Sequence, residues 1–104
     1  MRITNNYSPQ FGTVISTDKA IAYMNKAFNP KQIEKANRII ANQEGKQPNI
    51  HLHLGSFLCP SSNEKMYYLR AKVEDRTFKE GLFTSAFGVL KKSAKYVDSF
   101  QKNI

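Results

Sequence analysis

The chain contains no tryptophan, one cysteine, five glycines and half as many acidic as basic residues. Each shortage excludes something. A lone cysteine, Cys59, has no internal disulfide partner, which makes the chain compatible with a reducing compartment. No apolar run is long enough to span a bilayer, and MRITNNYSPQ at the N-terminus lacks the apolar centre of a signal peptide. The expected location is therefore the cytoplasm, or a host cytoplasm for a phage-encoded chain. The glycines at 45, 55, 81 and 88 are scattered, so no glycine-rich phosphate loop is present. The few acids lie beside bases, which serves a two-carboxylate mechanism poorly, and nothing around Cys59 in CPSS resembles a nucleophile motif.

The excess is lysine. Sixteen Lys plus Arg against eight Asp plus Glu give a net charge of +8, and only Arg2, Arg38, Arg70 and Arg76 carry guanidinium groups. Such a surface favours a polyanion or an acidic protein groove. Lysine is a point charge, so the composition suits attraction to a nucleic-acid backbone better than bidentate reading of bases. At 104 residues the size suits one domain, residues 1–104, with one modest core.

The organising stretch is Asn49 to Asp75. Ile50, Leu52 and Leu54 alternate with His51, His53 and Gly55. Tyr67, Leu69, Ala71 and Val73 alternate with Met66, Tyr68, Arg70, Lys72 and Glu74. Successive strand side chains point to opposite faces, so each segment reads as a half-buried strand. The breaker cluster Cys59 to Asn63 joins them as a hairpin.

Upstream, residues 1–10 read as a loose arm and Phe11 to Ser16 as a candidate strand. Thr17 or Asp18 caps a helix running to about Phe28, with Ala20, Ile21, Met24, Ala27 and Phe28 on its apolar face. Asn29 and Pro30 restart a second helix to about Gln43, on the stripe of Ile33, Ala36, Ile39 and Ile40. Downstream, Thr77 to Thr84 reads as a helical turn on its capping-box spacing, with a short edge strand as the alternative. A closing helix spans about Ser85 to Phe100. The expected fold is α+β, ordered β-α-α-β-β-α. Its sheet is three-stranded and mainly antiparallel, with the first strand beside the last and the helices on one face.

The other sheet face carries His51, His53, Tyr68, Arg70 and Lys72. Paired imidazoles on one side of a strand can ligate a metal, but no third ligand stands at a metal-box spacing. The pair is read as the wet face of a strand, and no metal, cofactor or catalytic residue is assigned. A tyrosine among cations is also the make-up of sheets that bind single-stranded nucleic acid. Lys91, Lys92 and Lys95 on the closing helix form a second basic surface, suited to phosphates.

LRAKVEDRTFKEGLFTSAFGVLKKSAKYVDSF, Leu69 to Phe100, resembles the last strand and closing basic helix of ribosome hibernation factors, small domains that sit on the small ribosomal subunit. The resemblance covers about a third of the chain. That family has one strand more than the three read here, and a first helix without the break at Asn29 and Pro30. The resemblance implies an RNA-rich partner.

Together these features lead to the expectation of a small basic non-enzymatic binding protein that occupies an anionic surface, a nucleic-acid backbone or a ribonucleoprotein. The expected contacts are His51, His53, Tyr68, Arg70, Lys72, Lys91, Lys92 and Lys95. One alternative is a protein-binding inhibitor, such as a phage-type antagonist of a host nucleic-acid-processing nuclease, using the same face against an acidic groove. Another is a structural domain that self-associates as a homodimer through the open sheet. No membrane partner is expected.

Overall fold

The computed structural model describes residues 14–101, so the expected N-terminal arm and the first part of the candidate strand from Phe11 lie outside the described residues. The elements are β1 (Val14–Ser16), α1 (Asp18–Ala27), α2 (Pro30–Asn42), β2 (Ile50–Leu58), β3 (Lys65–Val73), β4 (Arg76–Lys79) and α3 (Ala86–Gln101). Each helix start follows from its capping chemistry. The Thr17 hydroxyl accepts from the Ala20 N–H. Asn29 and Gln32 exchange side-chain and backbone bonds in a full capping box, with Pro30 in the first turn. Ser85 Oγ accepts from the Gly88 N–H. These bonds satisfy donors that have no partner within their own helix. After α2 the chain turns through Gly45, whose φ of +81° suits a residue without Cβ.

The sheet has four strands in the order β1-β2-β3-β4, one more than the sequence reading gives. Two particulars differ from that reading. β1 lies parallel beside β2, with Val14 opposite Ile50, rather than beside the last strand. The segment read as a helical turn begins with β4, which pairs antiparallel with β3 from Arg70↔Lys79 to Val73↔Arg76. Glu80 explains the second difference, because it caps no helix. Its N–H donates to the Leu69 carbonyl, and its carboxylate accepts from the Leu69 N–H and from the Tyr23 hydroxyl. The Glu80 side chain thus supplies the acceptor that the next residue of a longer strand would have offered, and ties β4 to α1.

One face of the sheet is covered. Ile50, Leu52, Leu69, Ala71 and Val73 meet Ala20 and Met24 of α1, Ile33 and Ala36 of α2, and Val89, Leu90, Ala94 and Val97 of α3 in one buried cluster. Burying a side chain of the Leu, Ile or Met size contributes roughly 1.5–3 kcal/mol. Arg76 lies over both the Phe78 and Tyr96 rings, 5.1 Å from each centroid, and fastens β4 to α3. Lys46 and Gln43, at the end of α2, both donate to Asp98 of α3. Among the described residues no helix is long and apolar enough to cross a membrane.

Burial and the Glu80 carboxylate push the Tyr23 phenol up to about 12. The stability this group contributes is full below its ordinary value of 10.0 and is lost as pH rises through the folded value. Replacing Tyr23 by Phe removes one bond to a charged acceptor and should lower stability by about 1.5 kcal/mol. The expected signature is a lower urea midpoint with an unchanged slope, together with loss of the Tyr23 titration near 12.

Candidate nucleic-acid interface

The pairing of β2 with β3 builds the open face row by row. His51 stands opposite Lys72, His53 opposite Arg70, Gly55 opposite Tyr68 and Phe57 opposite Met66. β4 extends two of these rows, placing Thr77 beside Lys72 and Lys79 beside Arg70. The result is a line across the sheet of His53, Arg70 and Lys79, flanked by His51 and Lys72 on one side and by Tyr68, Phe57 and Met66 on the other. The four strands contain no Asp or Glu. Among the described residues Arg70, Lys72 and Lys79 make no ion pair. Glu74 stands at the rim, where it lines an open concavity of about 500 Å³ with His51, Lys72, Gln47, Pro48 and Asn49.

The five sheet residues expected from the sequence are therefore on one face, joined by Lys79, Phe57 and Met66. Lys79 was missed because β4 was read as a helical turn. Phe57 was legible, since it continues the parity of His51, His53 and Gly55. Lys91, Lys92 and Lys95 are exposed on α3, whose buried side packs on the covered face of the sheet. The basic residues thus divide between two surfaces on opposite sides of the molecule. On the helical side Lys91, Lys95 and Asp98 of α3 line one groove with Lys46, and Lys91 shares a second with Lys35 and Arg38. Arg38 is bonded to Glu34 at 2.8 Å.

Tyr68 lies across Gly55, where a Cβ would run into the phenol ring. The absence of a side chain at 55 is what allows the ring to lie there, tilted towards Phe57 with centroids 6.2 Å apart. Two rings beside a line of cations offer stacking surface and charge together. Phe57 and Met66 are 52% and 44% exposed, so this surface faces solvent.

Partial burial, then the neighbouring Arg70 charge, hold His53 below its ordinary 6.5. The imidazole is therefore mostly neutral at pH 7, and an approaching anion would favour its charged form. The Arg70 Nε is buried without a hydrogen-bond partner among the described residues. Cys59 opens the hairpin loop, and hydrogen bonds from Ser61 and Ser62 hold its thiol down at about 7. The described residues hold no group of three or more His, Cys, Asp or Glu able to bind a metal ion.

Two outcomes follow from this geometry. In a histidine NMR titration His53 should titrate below 6.5, and Arg70→Ala should raise its midpoint by removing a like charge. Its contribution to stability is present above 6.5 and is lost as pH falls through the depressed folded value. Gly55→Ala should displace the Tyr68 ring, seen as shifted ring resonances, at a stability cost below about 1 kcal/mol, because the ring end can swing into solvent.

No protein-family model, no curated protein and no solved structure matches this chain.

Proposed function

We propose that this chain is a non-enzymatic binding protein whose open sheet face occupies the backbone of a nucleic acid, free or within a ribonucleoprotein. The observation that carries this reading is the face, built from strands without Asp or Glu and bordered by Glu74 at one rim, on which His53, Arg70 and Lys79 form one line beside the Tyr68–Phe57 pair. Sheets that bind single strands combine cations that follow the phosphates with rings on which bases stack. A stacked base contributes about 1–3 kcal/mol and tolerates any sequence. The lysines of α3 add a second phosphate-attracting surface. The fourth strand also supports the resemblance of Leu69 to Phe100 to ribosome hibernation factors, because it supplies the strand that the sequence reading lacked; the break between α1 and α2 remains a difference.

A protein partner is the second reading. The end of the hairpin exposes Phe57, Leu58, Met66 and Tyr67, and between Phe57 and Tyr68 the only charged residues are Glu64 and Lys65. An inhibitor that inserts an apolar arm into a protein groove would use these anchors.

Salt separates the two readings. Binding to labelled single-stranded RNA or DNA should fall log-linearly with salt, each phosphate contact adding about 0.7 to the slope. Arg70→Ala/Lys72→Ala/Lys79→Ala should reduce that slope by about 2, whereas Lys91→Ala/Lys92→Ala/Lys95→Ala tests the helical surface by itself. A shallow dependence, with affinity lost on truncating Leu58 or Tyr67, would favour a protein groove. Absence of any nucleic-acid binding at about 50 mM salt would remove the leading reading.

A further inference from the structure

Between β4 and α3 the chain exposes Leu82 and Phe83, each 98% accessible and more so than any other large apolar side chain of the described residues. Two such residues side by side at full exposure are costly in water unless they are used. Their position is defined. The loop is closed by the Gly81 N–H donating to the Thr84 carbonyl at 2.9 Å. It is anchored at one end by Glu80 on Leu69 and Tyr23 and at the other by Ser85 at the start of α3.

The surroundings of this tip are cationic on both sides. Lys79, the last residue of the His53–Arg70–Lys79 line, precedes Leu82 by three residues, which the chain spans in at most about 11 Å. On the helical side the Lys92 Nζ donates to the Thr84 Oγ at 3.1 Å, which holds its charge against the loop. The nearest acid in sequence, Glu80, is turned inward to its two partners. The tip therefore stands on the connection that leads from Lys79 of the sheet face to the lysines of α3.

We propose that Leu82 and Phe83 form a wedge that inserts at an unpaired or easily unstacked base of the bound nucleic acid. This inference rests on the reading of the chain as a nucleic-acid binder. Among polyanions, a nucleic acid is the one whose charges alternate with flat apolar groups, so cations bracketing an apolar tip match it in both respects. Apolar side chains flanked by cations insert between base steps in this way, and the unstacking cost is lowest where a base is already unpaired.

The test uses the full chain and a short RNA duplex carrying one bulged 2-aminopurine, compared with the same duplex fully paired. The wild-type chain should prefer the bulged duplex about tenfold, within the range for one stacked base, and should change the 2-aminopurine emission on binding. Leu82→Ala/Phe83→Ala should bind both duplexes equally, with no emission change and with the salt slope unaltered. Both residues are fully exposed, so an unchanged thermal melt of the variant is expected and verifies its folding. Binding by the wild type without preference, or a preference that survives in the variant, would overturn the wedge and leave the phosphate-binding face standing. Failure to bind either duplex would overturn the wedge, and the single-stranded RNA salt series would then decide separately whether the phosphate-binding face stands. Capture by vesicles of phosphatidylserine and phosphatidylcholine that the variant abolishes, with no preference between duplexes, would assign the tip to a lipid surface and overturn the wedge.

Discussion

The pairing of β2 with β3 over nine residues determines which side chains meet water. In its register every apolar residue of the covered face, from Ile50 opposite Val73 to Leu54 opposite Leu69, turns towards the helices, while His51, His53, Arg70 and Lys72 turn away. A slip of one residue would exchange the two faces, putting cations into the core. The helices depend on this choice. α1 and α3 bury their apolar stripes against the covered face, and α2 joins the same cluster through Ile33 and Ala36.

Charge is distributed by a related logic. Three of the acids act in internal ties: Glu34 with Arg38, Asp98 with Lys46, and Glu80 with Tyr23 and the Leu69 N–H. None of these acids lies in a strand. The open face therefore keeps the positive character of the whole chain, and the like charges around His53 are tolerated because solvent lies on one side. The absence of a side chain at Gly55 belongs with this arrangement, since it places an aromatic ring beside the cations.

Most of the architecture was legible in the chain. Alternation identified both long strands, and the Thr17, Asn29 and Ser85 positions marked the helix starts to within a residue. β4 was legible only as the alternative to a helical turn, a short edge strand over Thr77 to Thr84, for a physical reason. It has four residues, and Thr77 and Glu80 carry the spacing of a helix cap. Only tertiary structure reveals that Glu80 instead completes a strand pair with Leu69. The missed strand concealed Lys79, and with it the third member of the central line. Phe57 could have been found by continuing the parity of the histidines along β2. The separation of Arg70 from Lys91 follows from placing the helices on one sheet face and the histidines with Arg70 on the other.

Arg76 differs from Arg70, Lys72 and Lys79 in being turned to the helical side, where it lies over the Phe78 and Tyr96 rings, 5.1 Å from each centroid. That spacing is shorter than the roughly 8 Å over which physiological salt screens a charge, so ions in solution weaken this contact far less than they weaken attraction to an extended chain of phosphates. Under the proposed reading the same kind of side chain would serve two purposes with opposite sensitivity to ionic strength. A rise in salt that detaches a polyanion from the sheet would leave β4 fastened to α3, and the protein would be released folded and ready to bind again.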